Sequence, residues 1–441
     1  VSSERGIPRT VATKRYKYQV RGPLAPEQVV AVAKTFGCAR VVYNDTIHAR
    51  ETAYANGDPY PKSGDLSKQL ITQAKNTPER EWLAEPSVVV LQQALADADR
   101  AYRNYFQSLS GKRKGQRVGK PRYKSKRDRR QSARFTRNAR FKIRQVSAKR
   151  ALLTLPGIPD RLPLAYSRPL PSEPSSVTLI QEPDGTLFAS FVVDVPSVES
   201  LPDNGRHAGI DPGLDVLAAV VVSDGTRYKI PNPRHHRKME RDLKRKQKAL
   251  SRKEKGSKNR NKARIQVARA HRKVRNARYD HAHKLSLMLV RENQTISIEN
   301  TNVAGLARSG ARGRRGRGLR KSVHDAGWGQ LTRLLLEKAT EYGRIVSLSE
   351  AAFSSQSCCV CGVLDGPKPL SVREWECRSC GAWLDRDYNA AVNFLVAAGH
   401  AETLNACGGD VRLMLASATP REAGTSANPR GSSTLQAAPA A

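Results

Sequence analysis

The sequence predicts a multidomain α/β protein, and three observations predict it. Strand patterns flank a helical module in the first half, implying a β-domain with a helical insertion. In the second half, two apolar strands each run into a carboxylate, Asp211 and Glu299. Beyond them, four cysteines in paired spacing interrupt the pattern before a last short helix. With 441 residues the chain is long enough for about three domains and a sizeable core, so it needs no disulfide framework to fold.

The elements follow in order. Residues 10–22 alternate Tyr16, Tyr18 and Val20 with basic residues, the period of a strand with one buried face. From Pro26 to about Gly111 the pattern is helical. Leu91, Leu95, Ala98, Tyr102, Tyr105, Phe106 and Leu109 share one helix face, and Gly111 is the expected stop. Residues 175–195 form a hairpin with Pro-Asp-Gly at its turn, and 207–225 form a second, buried hairpin whose first strand ends on Asp211. The strand TISIEN, 295–300, ends on Glu299, and Asp387 opens a helix whose Ala390, Ala391, Phe394 and Leu395 face a core. The Gly- and Arg-rich stretch 308–321 is expected to be a mobile basic lid, and 401–441 a disordered tail.

Charge narrows the partners. Seventy-seven Lys and Arg against 40 Asp and Glu give a formal net charge of +37, a self-repulsion that an anionic partner relieves. Residues 111–150 hold 18 basic residues and one acid, Asp128, among Tyr123, Phe135 and Phe141, a mixture suited to phosphate contact and base stacking. Residues 241–280 hold 17 basic and 3 acidic residues in a helical pattern polar almost all round, so that helix pair must find its partner elsewhere, and a duplex backbone would serve. A solvated loop and an exposed hairpin are the plainer readings of the two segments. No apolar run reaches the roughly 18 residues of a membrane span and no leader pattern is present, which predicts a soluble intracellular protein. Val1 in place of Met suits a non-AUG start codon or processing.

Five of the seven cysteines fall between 358 and 380. Cys358-x2-Cys361, then fifteen residues, then Cys377-x2-Cys380, with Gly362 and Gly381 permitting tight turns, is the spacing of two knuckles that present four thiolates to Zn²⁺. Four protein ligands leave no open position, so this zinc is expected to be structural. Cys359 is the odd thiol, and Cys38 and Cys407 are bystanders.

Asp211, Glu299 and Asp387 each have a bland reading, as turn former, strand-end charge and helix cap, and Asp215 and Asp385 share it. Together they suggest more. Two carboxylates about 4 Å apart repel by roughly 4 kcal/mol at an effective dielectric of 20, so converging acids require a cation. Mg²⁺ prefers oxygen ligands and phosphate, and a pair of such ions suits phosphodiester hydrolysis.

The motifs GIDPG (209–213), ISIENTNVAGL (296–306), SVHDAGWGQL (322–331), SSQSCCVCG (354–362) and DRDYNAAVNFL (385–395), in that order, closely resemble the TnpB proteins of insertion sequences, relatives of type V CRISPR effector nucleases. GCARVVYN (37–44) and the basic stretch 119–135 resemble that family's N-terminal half. The resemblance implies an RNase H-like, RuvC-like nuclease domain with an inserted zinc ribbon, behind a β-barrel wedge domain carrying a helical recognition insertion. The implied layout is wedge 1–25, recognition module 26–130, wedge 131–204, nuclease 205–357 with a basic helical hairpin at 235–292, a zinc-ribbon target-nucleic-acid-binding segment 358–383, and the end of the nuclease domain at 384–400. It implies that Asp211, Glu299 and Asp387 are the catalytic, Mg²⁺-binding acids, that Cys358, Cys361, Cys377 and Cys380 hold Zn²⁺, and that the partners are a guide RNA from the transposon end and a double-stranded DNA target beside a short adjacent motif. Tyr43, Asn44, Arg122, Tyr123 and Lys124 are candidates for nucleic-acid contact. Cys359 departs from the family's small polar residue and adds an oxidation-prone thiol. The expected location is the prokaryotic cytoplasm, with the nucleoid. Two alternatives stand beside an RNA-guided endonuclease: a strand-transfer transposase, and a nuclease-inactive RNA-guided repressor.

Overall fold

The computed structural model describes residues 12–399 except 114, 127, 129, 197, 310–313, 350–353 and 370. The tail expected at 401–441 and Cys407 lie outside the described residues. The described chain forms two compact units, one from 12–200 and 234–281, the other from 201–233 and 282–399. Among the described residues no helix is long and apolar enough to cross a membrane.

The first unit begins with β1 (Ala12–Gln19), whose Tyr18 is buried as its alternation predicts. Helix α1 (Pro26–Asn56) has Pro26 in its first turn, where the missing N–H costs nothing, and the Gln28 side chain accepts from the Ala25 N–H; Gly57, at φ +75°, ends it. A short α2 (Ser63–Ser67) precedes α3 (Val88–Leu109). The stripe Leu91, Leu95, Ala98 and Tyr102 is buried, but Phe106 and Leu109, expected on the same inner face, are about half exposed because α3 outruns the core. Strands β2 (Gln131–Thr136), β6 (Ser176–Gln181) and β7 (Leu187–Val195) join β1 in an antiparallel sheet of order β1-β7-β6-β2. Strands β3 (Lys142–Ser147), β4 (Arg150–Thr154) and β5 (Leu162–Ala165) make a three-stranded sheet, linked to β1 by a bridge from Val20 to Leu164. Both sheets and both long helices share one core around Phe135, Leu153, Leu162, Phe191 and Ile47.

The basic helices α4 (His235–Ser251) and α5 (Lys258–Glu292) form as their pattern predicts, but their company differs. The sequence places the whole hairpin, 235–292, in the nuclease domain; as far as His281 it belongs to the first unit. The β6–β7 turn supplies the reason. Glu182 and Asp184 are 3 % and 4 % exposed; Glu182 pairs with Lys17 (2.8 Å) and Arg275 (3.3 Å), Asp184 with Arg272 (2.9 Å), and Arg264 donates to the Pro183 carbonyl (3.1 Å). Buried carboxylates are tolerated only when paired, so this turn claims one face of α5.

The second unit is built on a mixed sheet of order β10-β9-β8-β11-β12. The first hairpin is β8 (His207–Pro212) with β9 (Val216–Val222), followed by β10 (Arg227–Pro231), all antiparallel; β11 (Thr295–Glu299) runs parallel to β8 and to β12 (Ile345–Ser349). β9 reads as an unbroken apolar run because both its faces are covered. Ala218, Val220 and Val222 pack with Leu289 of α5 and with Leu331 and Leu335 of a later helix. Val221 packs on the opposite side with Ala391 and Leu395. Between β11 and β12 lie α6 (Val303–Ser309), α7 (Arg314–Ala326) and α8 (Trp328–Tyr342). The expected lid at 308–321 is thus largely helical where described: α7 forms despite its glycines, each costing about 1 kcal/mol in a helix, and buries Val323 in the core. A small hairpin, β13 (Glu374–Glu376) and β14 (Trp383–Asp385), leads directly into α9 (Arg386–Ala397).

Candidate nuclease centre

Strand register brings the first two acids together. In the parallel pair, Ile210 of β8 lies opposite Ile298 of β11, so Asp211 and Glu299 are the next residues on neighbouring strands, at the same end and on one face of the sheet. The third acid arrives from above. A Cβ built on Gly209 would stand 2.0 Å from the Ala391 carbonyl oxygen, so only glycine lets the backbone of α9 rest on β8 at this point. Asp385 caps α9: one carboxylate oxygen accepts from the N–H groups of Asp387 and Tyr388, both at 3.0 Å. That leaves the Asp387 carboxylate in the first turn with no capping duty.

Burial, followed by the charges of Glu299 and Asp387, pushes the Asp211 carboxyl well above the usual range; Asp385 adds to this and Arg386 opposes it. Burial raises Glu299 as well, against a hydrogen bond to Thr301. The acids therefore share one electrostatic neighbourhood without closing into a tight cluster. Among the described residues only the four cysteines form a group of ligand atoms within 4.8 Å of one another. Cations flank Asp387: Lys229 at 3.3 Å and Arg373 at 3.8 Å.

The cysteine site has the shape its spacing predicts. The sulfurs of Cys358 and Cys380 are 3.8 Å apart, those of Cys361 and Cys377 3.6 Å, and Gly362 and Gly381 take φ of +74° and +69° in the two knuckles. Thiolates about 2.3 Å from one ion at tetrahedral angles would be roughly 3.8 Å from each other, so the donor set fits zinc. Cys359 stands outside it. It is 5 % exposed, its N–H donates to Asn389 Oδ1 at 2.8 Å, and burial pushes its thiol up to about 11, so the expected oxidation-prone thiol is a protected one.

Asn389 was not anticipated from the sequence. Its amide also donates to the Ser357 carbonyl (2.8 Å), as does Asn393 (2.9 Å), and Asn393 donates to Ser354 (2.7 Å). Val392 and Leu395 of α9 share a core with Cys358, Cys377 and Trp375. The knuckle thereby grips the helix that bears Asp387. The signal was present as two polar residues four apart within an apolar helix, the spacing of one helix face.

The five nucleic-acid candidates divide. Tyr43 is 7 % exposed beneath the Lys124 ammonium, 3.7 Å from its ring centroid, and the Asn44 amide donates to the Lys124 carbonyl (2.9 Å) and accepts from the Lys124 N–H (2.8 Å). Both residues hold the basic loop against α1. Arg122, Tyr123 and Lys124 are exposed on that loop, with the Tyr123 hydroxyl donating to Glu51.

A mixed sheet with acids on adjacent strand ends, and a four-cysteine insertion ahead of a third acid, defines a nuclease fold of the TnpB and Cas12 type with a RuvC-like domain. Two solved structures share the fold: a Cas12f1–sgRNA–target DNA complex (TM-score 0.53, 12 % identity, 87 % of this chain and 98 % of that one) and the mini-RNA-guided endonuclease CRISPR-Cas_phi3 (TM-score 0.55, 10 % identity, 88 % and 92 %). Residues 190–310 match the model of the OrfB_IS605 family, described as "Probable transposase", 12–58 match the OrfB_IS605 helix-turn-helix domain, and 328–394 match the Cas12f1-like TNB domain. A Streptomyces pristinaespiralis protein named "Putative RNA-guided DNA endonuclease" is 39 % identical over 88 % of this chain and 89 % of its own length. The Escherichia coli K12 protein "Putative RNA-guided DNA endonuclease InsQ" is 30 % identical over 89 % and 93 %. The chain belongs to this TnpB family of insertion-sequence proteins.

Proposed function

We propose that this protein is a transposon-encoded RNA-guided DNA endonuclease, which binds a guide RNA from the element's end and cleaves complementary DNA beside a short adjacent motif by phosphodiester hydrolysis. The observation that carries the reading is the placement of Asp211 and Glu299 on adjacent parallel strand ends under the helix bearing Asp387. In this reading these three carboxylates hold divalent ions. Their all-oxygen donor set suits Mg²⁺, which when bound supplies charge stabilisation for the displacement. Asp211 and Glu299 are fixed to the sheet floor and define where the scissile phosphate sits. Asp387 closes the site from the helix, at an angle set by the asparagine contacts to the knuckle.

The charge of +37 supports an RNA and DNA partner, with base pairing reading the sequence and the protein reading duplex shape and the adjacent motif. The two sheets of the first unit correspond to the wedge, taken as a barrel, and α1 to α3 to the recognition module; Arg122, Tyr123 and Lys124 contact nucleic acid from the loop that Tyr43 and Asn44 secure. The cysteine ribbon binds structural zinc and meets target nucleic acid. The place of action is the cytoplasm, at the nucleoid.

The test is cleavage of a matched plasmid by the protein loaded with guide RNA. Asp211→Ala, Glu299→Ala and Asp387→Ala should each abolish Mg²⁺-dependent cleavage and leave RNA binding intact. Persistent cleavage by any of them removes that acid from the centre. Strand-joined products from labelled element ends without RNA would instead favour the transposase reading that the OrfB_IS605 description keeps open.

A further inference from the structure

The register that aligns the acids also aligns a base. Asp211 of β8 lies opposite Ala219 of β9, and Ala219 opposite Lys229 of β10, so the three form one row across the sheet on the face that α9 covers. The small methyl of Ala219 leaves the Lys229 stem room to cross toward the acids. Its ammonium is 2.7 Å from Asp385 Oδ2, 3.3 Å from Asp387 Oδ2 and 4.9 Å from the Tyr388 ring centroid. One cation, tethered to the sheet floor, thus touches both the cap of α9 and the carboxylate assigned to metal. Arg373 is a weaker rival: its nearer partner is Asp215, at 2.6 Å, and its side chain is 54 % exposed against 31 % for Lys229.

We propose that Lys229 is a resident counter-cation of the nuclease centre, pairing with Asp387 in the metal-free protein and competing with a divalent ion for that carboxylate. The inference rests on the reading of Asp387 as a metal ligand. Asp211, Glu299, Asp385 and Asp387 gather negative charge that an ammonium offsets in part and a divalent ion offsets more fully. For the ion to take Asp387, Lys229 must release it. Release is favoured when a target phosphate arrives, because the phosphate gives the ammonium another anionic partner and the ion another oxygen ligand. Lys229 is therefore a positioning residue that makes metal loading at this end depend on bound DNA and holds the centre silent without it.

The test is a Mn²⁺ titration of the full-length protein without nucleic acid, followed by the loss of the free-ion EPR signal. Lys229→Gln should bind Mn²⁺ at least fivefold more tightly than wild type, and Lys229→Arg, which keeps the charge, should stay within about twofold of it. In the double variant Lys229→Gln/Asp387→Asn the gain should vanish. Equal or weaker Mn²⁺ binding by Lys229→Gln would overturn the inference while leaving the metal site standing. Mn²⁺ binding unaltered by Asp211→Asn and Asp387→Asn would instead refute the carboxylate reading beneath it.

Discussion

The contact at Gly209 turns a single methyl group into a measurement of how the third acid is placed. In Gly209→Ala the new Cβ would meet the Ala391 carbonyl oxygen at 2.0 Å and Leu395 Cγ at 2.9 Å. Ordinary contact begins near 3.4 Å, so α9 must withdraw from β8 by more than about 1 Å. Most of the obstruction is backbone and cannot rotate aside. Overpacking of this kind costs about 1–3 kcal/mol, and a displacement of about 1 Å at a reacting group costs on the order of 100-fold in rate. Asp387 lies one turn from the obstruction and moves with the helix. Guided cleavage should therefore fall by about 100-fold under single-turnover conditions, with guide RNA binding retained and the melting temperature lowered by several degrees. Cleavage within threefold of wild type at an unchanged melting temperature would show that the close approach of α9 does not position the centre.

Three further outcomes follow from the same geometry. Cys361→Ser should reduce zinc from one equivalent to none by metal analysis, with loss of folding free energy on the order of 10 kcal/mol for the segment it organises; retained zinc would remove the assignment. Asn389→Ala strands the buried Cys359 N–H, while Asn393 still donates to the Ser357 carbonyl, a cost of about 1–3 kcal/mol, and should speed zinc loss to a chelator as well as slow cleavage; wild-type chelation kinetics would uncouple knuckle from helix. Asp211→Asn removes a carboxyl whose ionisation is opposed by burial and by the charges of Glu299 and Asp387, so at neutral pH without divalent ions it should melt higher than wild type while cleaving nothing; an equal or lower melting point would contradict that opposition.

Much of the centre was legible because its signals are local. The paired cysteine spacing depends on two tight turns, and those turns need only a glycine each. The strands ending on Asp211 and Glu299 announce themselves by apolar runs and a change of polarity, and the hairpin turn at Gly185 by its Pro-Asp-Gly. What escaped was every feature set by the meeting of distant segments. Tyr43 and Asn44 look like surface contacts until the loop 80 residues away folds over them. The contacts of Arg264, Arg272 and Arg275 with the β6–β7 turn escaped as well, because nothing near α5 in the chain reveals the buried Glu182 and Asp184.

The sequence by itself determined most of the kinds of elements, the four-cysteine cluster, the strands that end on Asp211 and Glu299 and the electrostatic character of the partner, since periodicity, turn chemistry and net charge are properties of neighbours and sums. Tertiary structure decided the row joining Lys229, Ala219 and Asp211, the seating of α9 on Gly209, and the grip of the knuckle on Asn389. Register and close approach are fixed by the packing of segments tens to hundreds of residues apart, where a shift of one residue turns a side chain to the opposite face.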